Sequence, residues 1–179
     1  MNSRRHALVT VVSIAALTLA GCANSPPESN RRSGPLCYRN RRNRPVVCTS
    51  AATPSLAVEA EAKRFEADSN ALTVFVIRNS WGDTRHLITV SVDNADAVET
   101  LPRSMIRMRL RPGHHQITFE FEGRQVPIDI QGSAGEVSFL RLGGEFSFWG
   151  SSYGWFREPD EAIRRRALKT RLVGDLRVL

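Results

Sequence analysis

Three cysteines carry most of the reactive chemistry in this chain: Cys22, Cys37 and Cys48. A thiolate can accept an alkyl group, pair with a second cysteine, attack a carbonyl or bind zinc, and its surroundings decide which. Neither Cys37 nor Cys48 has a neighbouring histidine or a C-x-x-C spacing, so a catalytic thiol or a metal pair is disfavoured. Cys22 closes a different pattern. Arg4 and Arg5 precede an apolar run from Ala7 to Ala20, broken by Thr10, Ser13 and Thr18, and the small residues Ala20 and Gly21 stand before the cysteine. The run is too short and too polar to span a bilayer and has the layout of a secretory signal.

The other chemistry-bearing side chains form weaker constellations. His114-His115 follows Pro112-Gly113, and adjacent strand residues point to opposite faces, so the pair reads as turn and packing residues. Glu120 and Glu122 share one strand face and read as solvated. There is no P-loop, nucleophile elbow or zinc-protease motif. The sequence therefore predicts no catalytic residues, no metal ligands and no cofactor. The segment 146–156 holds six of the thirteen aromatics. Trp149, Tyr153, Trp155 and Phe156 are candidates for ligand or membrane contact, either at a bilayer interface or as a stacking platform for sugar rings. The competing reading has this segment cover one end of a sandwich.

Leu19-Ala20-Gly21-Cys22 resembles the bacterial lipoprotein cleavage box. The resemblance implies lipid on the Cys22 sulfur, cleavage before it, and acylation of the new amino group with a palmitate-type chain. Ala23 rather than Asp follows, which by the same resemblance favours the outer membrane, facing the periplasm. With Cys22 consumed, Cys37 and Cys48 remain as an even pair, expected to be a disulfide in an oxidising compartment. Closing so short a loop contributes roughly 2–3 kcal/mol in the chain-entropy picture.

Removing Arg4 and Arg5 takes the net charge from +7 to +5. Export argues against nucleic acid as the partner of this basic chain. The acidic partners that remain are anionic lipid, peptidoglycan or an acidic envelope protein. Residues 22–52 read as a lipidated basic tether: four prolines, few large apolar residues, and Arg31, Arg32, Arg39, Arg41, Arg42 and Arg44 against Glu28, with Arg39, Arg41, Arg42 and Arg44 in the disulfide loop as further candidates for ligand or membrane contact. Residues 53–179 read as one domain, closer to charge balance. Thr53-Pro54-Ser55 opens a short helix with Leu56, Ala57, Val58, Ala60, Ala62 and Phe65 on one stripe and Glu59, Glu61 and Lys63 elsewhere, ending near Asp68-Ser69-Asn70. From Ala71 the period is two. The stretch 71–78 reads as a strand buried on both faces, and Ile88/Val90/Val92, Ile106/Met108/Leu110, Ile117/Phe119/Phe121, Val126/Ile128/Ile130 and 135–142 mark further strands. Pro159, Asp160 and Glu161 open a C-terminal helix with basic residues behind them, and 172–179 is a weakly signalled last strand. The expected fold is mainly β: a small antiparallel β-sandwich with a short N-terminal helix and a C-terminal helix, after a signal peptide (1–21) and a flexible tether.

Four pieces of this domain carry a family likeness: Ala62-Lys63-Arg64-Phe65 followed by 71–78, then Val90-Ser91-Val92-Asp93-Asn94, Leu110 to Ile117, and Gly135 to Arg141. Over roughly 57–142 the chain resembles a bacterial lipoprotein domain family of unknown function, and its last two pieces resemble PEGA-type sandwich modules. Asn94 stands where the family has a turn glycine, and 95–103 is a long insert. The resemblance implies a fold and no catalytic residues. The expectation is thus a lipid-anchored envelope lipoprotein, non-enzymatic, with a binding or structural role. The alternative is a cell-wall or glycan-binding module built on 146–156.

Overall fold

The computed structural model describes residues 33–79, 83, 86–147 and 150–179. The signal segment, Cys22, Arg31, Arg32 and Trp149 lie outside the described residues.

The chain is mainly β with two short helices. The first described elements are a hairpin of β1 (Ser33–Arg39) and β2 (Pro45–Thr53), so residues 33–52, assigned to the flexible tether, are strand and turn instead. The reason lies outside local composition. Cys37 and Cys48 face each other and are bonded, Leu36 packs against the main core, and the Ser50 N–H and hydroxyl both donate to Glu99 Oε2, at 2.6 and 2.8 Å. A disulfide and a distant carboxylate supply the stability that the sparse apolar residues cannot.

Helix α1 (Leu56–Ala62) starts at Ser55, whose hydroxyl accepts the Val58 N–H. It stops at Lys63, short of the expected Asp68, because Phe65 turns with φ 54° to drop its ring onto the sheet. The strands that follow are β3 (Leu72–Arg78), β4 (Ile88–Val92), β5 (Ala95–Thr100), β6 (Ser104–Leu110), β7 (Gly113–Phe121), β8 (Arg124–Gly132), β9 (Val137–Ser147) and β10 (Gly150–Phe156). Helix α2 (Asp160–Ala167) and β11 (Arg171–Val178) complete the order.

Two sheets result: β10-β9-β3-β6-β11 and β5-β4-β7-β8. The four-stranded sheet is antiparallel throughout. The five-stranded sheet is mixed, since β3 runs parallel to β9 and β6 parallel to β11. The supposed insert 95–103 supplies β5, and the aromatic segment supplies β10.

The sheets face each other across one core. Leu72, Val74 and Val76 of β3, Ile106, Met108 and Leu110 of β6, and Leu140 and Leu142 of β9 meet Ile88, Val90 and Val92 of β4 and Ile117 and Phe119 of β7. The odd residues of β3 face the other way. Phe75 and Ile77 join Met105, Phe139 and Leu172 under Ala62 and Phe65 of the α1 end and under Ile163 and Ala167 of α2. Helices on one face and a sheet on the other explain why all seven residues of β3 are buried. Leu168 points out, 55 % exposed.

Glu59, assigned by its spacing to the outer face of α1, is buried. Its carboxylate accepts from Lys63 Nζ, from Arg171 Nε (both 2.7 Å) and from the Leu172 N–H (3.2 Å). Burial pushes the carboxyl up, but these partners outweigh it and hold it below the ordinary range. A carboxylate depressed in the folded state stabilises fully above its unfolded value and loses that contribution as pH falls through its folded value. Glu59→Gln is therefore expected to lower stability by about 1–2 kcal/mol at pH 7, in the range for hydrogen bonds to charged groups. The deficit should shrink below about pH 4, where the wild-type carboxyl protonates. Urea unfolding at pH 7 and pH 3 checks this, and an undiminished gap at pH 3 would contradict it.

Candidate functional site

The hairpin turn gathers four of the candidate contact residues. Arg39, Arg41, Arg42 and Arg44 lie at its tip, all exposed, with Asn40 and Asn43 between them. The turn is held by its own polar atoms. Asn40 Oδ1 accepts the Arg42 and Arg44 N–H groups (2.9 and 3.1 Å), Asn40 N donates to Arg44 O, and Asn43 N donates to Asn40 O (both 2.9 Å). Asn43 sits at φ 58°, a left-handed position that asparagine tolerates. Arg39 Nη1 donates to Asn43 O. None of the four guanidinium groups has an ion pair with a carboxylate among the described residues.

The aromatic candidates are not brought to one exposed platform. Strand β10 folds back on β9, so Tyr153 and Trp155 face the inter-sheet core. The Trp155 indole N–H donates to Val126 O (2.9 Å), and its ring meets Phe119 edge-on at 5.3 Å. Tyr153 packs on Phe121 at 4.6 Å. Phe156 takes the other face, where the Arg141 guanidinium stacks over it at 4.1 Å and bonds Glu158. Gly143 and Gly144 of β9 make this possible: a Cβ there would stand 2.6 Å from the Phe156 ring and 2.6 Å from the Tyr153 ring. The half-buried state of these rings follows from strand alternation against a glycine pair.

Sequence reasoning missed the most concentrated polar cluster. Arg78, the last residue of β3, is completely buried in the inter-sheet layer. Its Nε and Nη2 bind Asp83 bidentately, both at 2.7 Å, Nη1 donates to Thr100 O (2.7 Å), and Nη2 also reaches His86 O (2.8 Å). Tyr153 donates to Asp83 Oδ1 at 2.9 Å, and burial with the Asp83 charge pushes its hydroxyl up to about 12. The only signal in the sequence was an arginine ending an apolar strand with an aspartate five residues on. Every Arg78 donor is matched, so the cluster clasps the sheet ends together.

The two histidines behave as alternation requires. His115 is buried, its Nδ1 2.6 Å from Asp93 Oδ2 and its Nε2 2.7 Å from Arg111 O. Burial pushes the Asp93 carboxyl up, and bonds from His115 and the Gln116 N–H more than reverse that. His114 is exposed, 3.7 Å from Asp129, in an open groove of about 630 Å³ between β8, β9 and the start of α2. Among the described residues no group of three or more His, Cys, Asp or Glu is placed to hold a metal ion. No helix among them is long and apolar enough to cross a membrane.

No protein-family model matches this chain, and no curated protein matches it either.

Proposed function

We propose that the protein is a lipid-anchored envelope lipoprotein, attached through Cys22, whose domain has a binding or structural role rather than an enzymatic one. The observation that carries the reading is Leu19-Ala20-Gly21-Cys22 at the end of a signal-like apolar run. The bonded pair Cys37–Cys48 supports it, because such bonds persist in oxidising compartments. Ala23 after the cysteine favours the outer membrane, facing the periplasm. The cell-wall or glycan alternative requires free ring faces, whereas Tyr153, Trp155 and Phe156 are engaged by Phe121, Phe119 and Arg141. The anchored reading is therefore the stronger one.

Cys22→Ser should abolish acylation, since the sulfur that takes the lipid is gone. Metabolic labelling with a clickable fatty acid reads this directly. Label retained on the variant, or none on the wild type, defeats the proposal.

A further inference from the structure

We infer that the arginine tip of the β1–β2 hairpin is a contact surface for the phosphate headgroups of anionic lipids in the leaflet that holds Cys22. The inference rests on the anchored reading above.

Charge is distributed for this. Residues 53–179 carry 17 Lys and Arg against 17 Asp and Glu, so the excess positive charge lies entirely in the first 52 residues. The tip places four arginines within 39–44. The domain's arginines elsewhere are often taken by carboxylates: Arg78 by Asp83, Arg107 by Glu61 and Asp175, Arg166 by Glu158, and Arg171 by Glu59. The tip arginines have no such partner among the described residues, and their planar forks suit phosphate oxygens.

The tip is also ordered in advance. The Asn40 side chain fixes the turn, and the disulfide clamps the strands directly behind it. Less ordering remains to be done on contact than for a free basic tail. Reach is sufficient and bounded. Ten residues lie between Cys22 and Ser33, and the tip stands a further six residues along β1, so the seventeen steps from Cys22 to Arg39 span at most about 60 Å. A lipid on Cys22 thus keeps the tip within reach of the headgroups, and the paired N–H donors of its guanidinium groups match phosphate oxygens there.

The test uses residues 23–179. These contain every core residue, the disulfide and every ion pair found among the described residues. Co-sedimentation is measured with vesicles of phosphatidylglycerol and phosphatidylcholine, with phosphatidylcholine alone, and with insoluble peptidoglycan, at 50 and 500 mM salt. One variant replaces Arg39, Arg41, Arg42 and Arg44 by Ser. A second removes equal charge elsewhere through Arg124, Arg157, Arg165 and Lys169→Ser. Near-UV circular dichroism establishes that both fold.

The expected result is binding to the anionic vesicles alone, abolished at high salt. The tip variant should bind at least about a hundred-fold more weakly, with the control within about three-fold of wild type, since each basic residue near an anionic surface contributes roughly five-fold and the four act together. Equal loss in both variants would reduce the effect to net charge and overturn the inference. So would retained binding in the tip variant, or preference for peptidoglycan over vesicles. The acyl label on Cys22 is read separately: label without a tip effect removes this inference alone, and a tip effect without label removes the anchored reading.

Discussion

Arg78→Leu is expected to destabilise the domain by about 3–5 kcal/mol, the range for removing one partner of a buried ion pair. The loss arises from what remains. The Asp83 side chain is fully buried and, among the described residues, would keep its charge with only the Tyr153 hydroxyl opposite. Thr100 O and His86 O would also lose the Arg78 donors that satisfy them. Arg78→Lys should rescue little, because an ammonium cannot present the fork that reaches Asp83, Thr100 and His86 together. Tyr153→Phe should cost about 1 kcal/mol, as it removes one hydrogen bond and leaves the pair intact. The discriminating result is the double variant Arg78→Leu, Asp83→Leu. Removing both charges avoids the unpaired aspartate, so the double variant should be more stable than Arg78→Leu alone. Urea unfolding of Arg78→Leu, Asp83→Leu and the double variant reads this, and strict additivity would mean that the clasp is not a coupled unit.

This clasp also marks the limit of what the sequence discloses. The alternation of Ile88/Val90/Val92 and Ile106/Met108/Leu110 was legible because a half-buried strand imposes period two on its own residues. The doubly buried strand Leu72–Arg78 was legible for the same local reason, as an unbroken apolar run. Pairing was not. The parallel registers Thr73↔Val137 and Arg171↔Ser104 join segments over sixty residues apart, and nothing local encodes them. Strand β5 was missed because Ala95 and Ala97 give no alternation, and β10 because serine and glycine obscure the inward Tyr153 and Trp155. Glu59 looked solvent-facing by spacing alone; its partner Arg171 lies 112 residues on. The hairpin was misread because arginine and proline dominate its composition, while its stability comes from one cross-strand bond and from Glu99. The sequence located the disulfide, and the four arginines lie exposed at the turn next to it. For the aromatic segment it offered exposure and sandwich cover side by side, and what turns Tyr153 and Trp155 inward is strand alternation, with Gly144 of the neighbouring strand leaving room for the Tyr153 ring.

The second large effect is expected at Phe75, on the opposite face of the same sheet. Phe75→Ala should cost about 3–5 kcal/mol, the usual range for removing a fully buried ring. Its ring stacks on Phe139 of β9 at 5.4 Å and meets Phe65, beyond α1, edge-on at 5.1 Å. Arg164 of α2 lies over Phe139 at 4.7 Å and over Phe65 at 5.5 Å. One side chain thus joins the sheet to both helices, whereas the four-stranded sheet packs on the other face of β3. The two faces make different demands. Phe75→Leu should recover most of the loss, because this face asks for apolar volume and leaves no polar group unpaired. No apolar residue should do the same at Arg78 while Asp83 remains. The location of the damage should differ too. Hydrogen exchange should quicken first in α2 for Phe75→Ala and leave Ile117–Phe119 of β7 protected until global unfolding, because the helix layer contacts β7 only through the sheet between them. Equal acceleration in α2 and β7 would show the helices and both sheets opening as one unit, and would refute the separation of the two faces.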